Sequence, residues 1–256
     1  MTPRRTARAA ALRAALAAFL ALPCLAAAQA AFGDRLVGKV GLGVYGRSEV
    51  VRDTGASTLV LPYVYADWGR VFARVDTLGV KTLPLGLGHL ELVARISTEG
   101  WDADRAALRG LSDRQNPVPI GVGTMQRTTY GAFFLYAMHD LTSGGNFLEA
   151  TWGARFDVGR VALYPLLGLE HRTGAYVRHL YGVDAAESAA SGYATWTPGA
   201  STVPMAGLAA TVPISGPWGV QLQWRHRWLD SAIRNSPIVG TGSLDSGHVA
   251  LTYEFM

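Results

Sequence analysis

Only one of the 256 residues is cysteine, and Cys24 lies inside the first thirty, so the remainder of the chain can form no disulfide of its own. An exported chain without disulfides needs another fastening, and a closed barrel, in which every backbone group finds a strand partner, is one. Beyond residue 30 no apolar run approaches the roughly 18 residues that a membrane helix requires. If the mature chain enters a membrane, it enters as strands. Net basic charge is missing as well: the formal charge of +4 is matched by Arg4, Arg5, Arg8 and Arg13 alone. Binding of nucleic acid through a basic surface loses its compositional support, and no nucleic-acid partner is expected.

Those four arginines precede an apolar run from Ala14 to Leu22 and then Ala28-Gln29-Ala30. A basic start, an apolar centre and small residues at Ala28 and Ala30 are the parts of a cleaved secretory signal peptide. Arg4-Arg5 lacks the flanks of a twin-arginine signal, so export in the unfolded state is expected. Pro23 before Cys24 argues against lipidation. Residues 1–30 are therefore read as signal and 31–256 as the mature domain.

What fills that domain is alternation. In Trp218-Gly-Val-Gln-Leu-Gln-Trp-Arg-His-Arg-Trp228 the even positions carry Trp, Val, Leu, Trp, His and Trp, and the odd ones Gly, Gln, Gln, Arg and Arg. At about 3.3 Å per residue and a tilt of roughly 40°, eleven residues cross on the order of 25 Å, the apolar height of an outer-membrane barrel. Trp218 and Trp228 at the two ends read as aromatic girdles, since indole settles where hydrocarbon meets headgroups. A long strand of a soluble sandwich is the alternative for this stretch alone. The same period recurs at 36–45, 58–66, 70–77, 90–96, 118–127, 130–140, 146–156, 160–170, 201–212 and 247–255. Pro165 suggests a bulge in its strand, because proline cannot donate to a ladder.

Eleven candidate strands conflict with the even number that closes a bacterial barrel. Short turns near 67–69, 157–159 and 215–217 mark the periplasmic side, and an odd count between the first two places a missed strand within Leu78 to Leu90. The fold expected is all-β, a closed single-chain transmembrane antiparallel barrel of about twelve strands, with ten as the fallback. Charged stretches at 99–117, 171–200 and 230–246 become long external loops, and no convincing amphipathic helix is seen. Arg74, Asp76, Glu91, Arg95, Glu149, Arg155, Arg225 and Arg227 fall on the inward face. A lumen laced with both signs is expected to be bridged and narrow, because buried unpaired charge costs several kcal/mol.

Chemistry-bearing patterns are weak. His89, His139, His171, His179, His226 and His248 stand at no metal-ligand spacing. His139 and Asp140 are neighbours on a strand and point to opposite faces, which spoils an acid–base pair. The Gly-x-Gly pairs at 41 and 43, 86 and 88, and 121 and 123 lack the following helix that a phosphate cradle needs. No catalytic residue, metal or cofactor is expected.

Several stretches together resemble one family: Gly41-Leu42-Gly43-Val44-Tyr45, Leu61-Pro62-Tyr63, Leu108-Arg109-Gly110-Leu111-Ser112-Asp113, Tyr181-Gly182-Val183 followed by Ala185-Ala186 and Ser191-Gly192, and Ser236-Pro237-Ile238-Val239. In that order, before a closing aromatic strand, they resemble the MipA/OmpV family of MltA-interacting outer-membrane proteins, over nearly all of the mature chain. Gly247, Leu251, Tyr253 and Phe255 would form the signal read by the barrel-assembly machinery, although Met256 follows the usual terminal aromatic. The resemblance implies no catalysis. It implies a cell outer membrane location among lipid and lipopolysaccharide, and a scaffold joining a lytic transglycosylase to a penicillin-binding protein. A small-solute channel and a surface adhesin or receptor are the alternatives. The motif-bearing loops, Tyr181, Gly182, Val183, Ser191, Gly192, Ser236 and Pro237 among them, are expected either to fold inward as a plug or to meet ligands outside.

Overall fold

Alternating strands can bury one face and show the other to lipid only if the sheet closes. The computed structural model, which describes residues 35–255, closes it. Its strands are β1 (Leu36–Arg47), β2 (Ser57–Trp68), β3 (Val71–Arg74), β4 (Thr77–Leu85), β5 (Gly88–Arg95), β6 (Pro119–Thr128), β7 (Gly131–Asp140), β8 (Asn146–Gly153), β9 (Phe156–Val158), β10 (Val161–Arg172), β11 (Ser201–Ser215), β12 (Trp218–Trp228) and β13 (Ser243–Phe255). Each pairs antiparallel with its sequence neighbour, and β13 returns to β1 in register from Gly38 with Phe255 to Arg47 with Ser246. β8 and β9 both pair with β10 and are two pieces of one staff, so twelve staves make the ring. The start of β1 and the end of β13 lie on the same rim as the short turns, the periplasmic one by the convention of such barrels.

The strand missing from the sequence count is β4. Its hairpin with β3 turns at Val75-Asp76, with Val75 at φ 58°, inside what the alternation had read as one strand over 70–77. The interruption near Pro165 lies on the partner: β10 runs unbroken through Pro165, while β8 stops at Gly153 opposite Leu166 and β9 resumes at Phe156 opposite Leu163. The pyrrolidine nitrogen has no hydrogen to give Ala154, so the ladder opens there. Gly69 and Gly159, both at positive φ, begin tight turns that most residues could not make.

Outside, the barrel is apolar from rim to rim. Leu42, Val44, Leu92, Val122, Leu169, Leu222, Val249 and Leu251 are all exposed, an extent of apolar surface that a soluble monomer does not tolerate. Trp218 and Trp228 stand exposed at opposite ends of β12, and Trp218 meets Tyr253 edge-on with ring centroids 5.3 Å apart. No helix among the described residues is long and apolar enough to cross a membrane. Ala28 and Ala30, the expected cleavage residues, lie outside the described residues.

The external loops correct the expectation of helix-free segments. Helices α1 (Gly174–Tyr181), α2 (Ala185–Ser191) and α3 (Ser231–Arg234) form within them, with a 3-10 turn at Ala106–Leu108. At four to eight residues these helices are too short for a readable period, and tertiary packing makes them. Val50, Trp101, Leu108, Val177, Leu180, Ile233 and Ile238 from four loops join inward residues Phe72, Val93, Met138 and Phe147 of the wall in one apolar cluster. The loops form a cap seated on the external mouth.

Candidate functional site

The lumen beneath the cap is bridged by charge. Arg74 donates from both terminal nitrogens to Glu91, at 2.8 and 2.7 Å, and from one of them to the Tyr136 hydroxyl at 3.2 Å. Next along the ring, Arg95 pairs with Glu149, which also accepts from the Thr151 hydroxyl. Higher up, Glu170 accepts from Arg227 at 2.8 Å and from Arg172 at 3.2 Å, and Arg172 also reaches Glu99 at 2.6 Å. Glu91 is 2 % exposed and Glu170 is 2 % exposed, so these are pairs out of water rather than surface bridges. In such surroundings the surviving charge after loss of its partner costs about 3–5 kcal/mol.

Three of the eight inward candidates stand apart from this network. Asp76 accepts from the Thr77 hydroxyl at the β3–β4 turn. Arg225 has a buried Nε with no hydrogen-bond partner among the described residues. Arg155 sits in the break between β8 and β9 and is largely exposed to water at the periplasmic end of the inward face, where it pairs with Asp157, the ladder partner of buried Ala162. Glu170, Arg172 and Glu99 were not singled out in the sequence, because the strand was ended at residue 170 and the loop was read as exposed.

At the mouth, Glu99 ties wall to cap. Its other oxygen accepts from the Tyr176 hydroxyl of α1 at 2.9 Å, and Tyr176 packs on Phe147 with centroids 6.1 Å apart. Burial alone would raise the Glu99 carboxyl, but Arg172, with Arg47 behind it, outweighs burial and holds it below the ordinary carboxylate range. The same burial, reinforced by the Glu99 charge, lifts the Tyr176 phenol and pushes Tyr181 up to about 12.

The cap itself is organised around Glu187. Asp184 and Glu187 form a reciprocal capping box at the start of α2: the Asp184 carboxylate accepts from the Glu187 N–H at 2.8 Å, and the Glu187 carboxylate accepts from the Asp184 N–H at 3.1 Å. Glu187 further accepts from the Ser112 N–H at 3.0 Å and from Arg114 at 2.8 and 2.9 Å. Burial raises this carboxyl too, yet the backbone donors of Ser112 and Asp184 and the Arg114 guanidinium hold it below its usual value. Arg114 also lies over the Trp101 ring, 5.4 Å from its centroid, and donates to the Gly182 carbonyl at 3.2 Å. The remaining contacts fasten the loops internally and to one another. Val183 exchanges backbone bonds with Trp196 at 3.0 and 2.9 Å, the Ser236 hydroxyl donates to the Tyr181 carbonyl at 2.7 Å, and Arg52 donates to the Pro237 carbonyl at 2.9 Å. The Ser191 hydroxyl donates back to the Glu187 carbonyl at 2.6 Å, and Gly192 ends α2 in the left-handed region at φ 79°.

A family model described as MltA-interacting protein MipA matches residues 40–255. The chain belongs to the MipA family. Among curated relatives, the MltA-interacting protein of Escherichia coli (strain K12) is 27% identical over 159 residues, a match that covers 60% of this chain and 63% of that protein. The chain thus aligns with less than two thirds of that relative's length. The putative outer membrane protein YiaT of the same organism is 24% identical over 229 residues, covering 88% of this chain and 91% of that one. Among solved structures, an anion-selective porin from Comamonas acidovorans is 11% identical with a TM-score of 0.30, over 86% of this chain and 99% of that chain.

Within this MipA-family chain the loop stretches that carried the resemblance meet in space, while 41–45 and 61–63 lie in β1 and β2. Leu108 and Leu111 are buried in the cap cluster, Ser112 bonds Glu187, and Tyr181, Val183 and Ser236 are buried around them. Gly247, Leu251, Tyr253 and Phe255 lie on β13, the strand that closes the ring against β1. His139 bonds Asn146, while Asp140 is fully buried and accepts from the N–H groups of Val118 and Ser143, so the two neighbours serve separate elements. No group of three or more His, Cys, Asp or Glu converges among the described residues. What the arrangement does is close a barrel twice, by ion pairs within and by the cap above.

Proposed function

We propose that this chain is a non-conducting outer-membrane barrel that serves as a docking scaffold for murein-remodelling enzymes, a lytic transglycosylase and a penicillin-binding protein, after export behind a signal peptide cut at Ala30. The observation that carries the reading is the double closure of the lumen, which leaves little for a general pore to do. Family membership and the name of the MltA-interacting relative support the lytic transglycosylase as partner, and the penicillin-binding protein is what the family resemblance implies. Docking would fall on the periplasmic rim, where Leu83, Leu87 and Tyr130 are exposed at 67%, 69% and 81%. Leu87 and Tyr130 lie on tight turns and Leu83 near the end of β4, and exposed apolar side chains there suit a protein partner better than water.

The detergent-extracted barrel, used as bait against periplasmic and membrane fractions, is expected to retain both murein-cleaving and penicillin-binding activity, and to lose them when Leu83, Leu87 and Tyr130 are changed to Ser. Retention of neither activity by the unaltered barrel overturns the scaffold. Steady openings of porin size in a planar bilayer overturn the closed lumen independently.

A further inference from the structure

The wall has a window. β2 pairs with β1 along its whole length, Ser57 to Trp68, but on its other edge only Tyr65–Trp68 pair with β3. The last bond on that edge runs from the Val75 N–H to the Val64 carbonyl at 2.8 Å. Across the gap, the Ile96 N–H closes onto the Asp76 carbonyl at 2.8 Å, and β5 has ended at Arg95. Residues 57–63 therefore border no strand on one side, a free edge of about 23 Å at 3.3 Å per residue. The cause is the early turn at Val75, a β-branched residue held at φ 58°, where such side chains are outliers. Strain of this kind persists where the surrounding structure enforces it, and it clusters at ligand sites.

A cavity of about 560 Å³ passes through this window. Its lining takes Val64, Ala73 and Leu78 from the lipid face of the sheet and Asp76, Arg225 and His248 from the lumen face, a mixture open only to a space that crosses the wall. The volume falls in the range of about 300–1,000 Å³ typical of small-molecule sites. Inside the window the lumen surface changes character: Leu59 and Leu61 point inward beside Tyr45 and Gly43, and both leucines are exposed there. Beyond them a ladder row runs from Ser57 through Arg47 and Ser246 to Arg225. Three interstrand steps place Arg225 about 14 Å from the open edge.

Two features decide what fits. A free edge invites strand addition, but Pro62, two residues from Val64 and so turned to the same edge, has no N–H to offer, and its carbonyl already accepts from the Tyr45 hydroxyl at 3.4 Å. A partner strand is thereby disfavoured. Arg225 meanwhile forms no ion pair among the described residues, unlike Arg74, Arg95, Arg172 and Arg227. We infer that the window admits from the membrane a single-chain amphiphile with an anionic head, a fatty carboxylate, whose tail lies along Leu59 and Leu61 and whose head pairs with Arg225. The site stands apart from the periplasmic rim and survives or fails without regard to the scaffold.

The test uses the mature chain in phosphatidylcholine nanodiscs, titrated with tritiated palmitate and, in parallel, with methyl palmitate, against empty discs. The expected result is saturable binding of one palmitate per chain and none of the ester. Arg225→Gln weakens it by about tenfold or more, the loss of a hydrogen-bonded charge pair, and Leu61→Trp, which fills the passage, removes it. Arg155→Gln leaves it unchanged. Heat-modifiable migration reports whether each variant has assembled, and Leu61→Trp carries the test if Arg225→Gln has not. No saturable binding, equal retention of the ester, or palmitate binding unchanged in an assembled Leu61→Trp barrel overturns the site.

Discussion

The wall and the cap are built from one chain with different fastenings. Along β10, β11, β12 and β13 the wall is held by ladders eleven residues long, such as Trp218–Trp228 against Ser243–Tyr253, and its inward charges pair across strands. The cap has almost no ladder. Its loops are held by single bridges, Val183 with Trp196 within one loop and Val51 with Val239 between two, and by side chains that reach backbone groups of distant loops. Backbone ladders tolerate almost any outward apolar residue, whereas the cap depends on a few side chains at fixed places. That fits the loop stretches of the resemblance at 108–113, 181–192 and 236–239, while 41–45 and 61–63 lie in the wall strands β1 and β2.

The largest expected effect breaks the comparison from the wall side. Glu170→Ala strips Arg172 and Arg227 of a shared buried partner and is expected to cost about 3–5 kcal/mol. Urea unfolding of the reconstituted barrel, followed by heat-modifiable migration, should show that drop as a lower midpoint for the whole barrel. A loss confined to the cap would mean that the lumen pairs fasten the mouth and not the wall.

From the cap side, Glu187→Ala removes acceptors for Arg114 and for the Ser112 and Asp184 N–H groups, and charged hydrogen bonds are worth about 1.5–3 kcal/mol. Proteolysis within 99–117 and 173–200 should accelerate while barrel migration stays unchanged. Acid should do the same by degrees. Glu99 and Glu187 both have depressed folded-state values, so the stability they give is fully present above the ordinary carboxylate range near 4.3 and fades as pH falls through the lower folded values. Nicking of the cap at acid pH, with the wall protected, is the outcome to measure, and Glu187→Gln should flatten the response.

Legibility divides along the same line. Eleven strands, the outward Trp218 and Trp228 and the inward Arg74, Glu91, Arg95, Glu149 and Arg227 could be read because a strand's period is two and needs no knowledge of its neighbours, and the twelfth stave followed from the even count alone. The hairpin at Val75-Asp76 could not, since Arg74 and Asp76 keep the inward phase straight through the turn and no Gly, Pro or Asn marks it. Arg155 kept its phase too, but the break beside it could not be read, because its cause is Pro165, on another strand. In the cap, Glu187 hid in an alanine-rich stretch. The spacing Asp184-x-x-Glu187 was its one signal, and a capping box read there would have announced α2.

The smallest effect asks whether the cap's few positions matter for their conformation or for their contacts. Gly192 ends α2 at φ 79°, and a Cβ placed there would meet nothing within 4 Å. Gly192→Ala should therefore cost only the left-handed backbone, about 1–2 kcal/mol, and Gly192→Asn rather less, since Asn visits that region readily. The readout is the same cap nicking, with urea midpoints of the wall unmoved. If Ala and Asn were equally damaging, the position would have to matter through some contact beyond its own backbone, and the cap would be the docking surface rather than a lid.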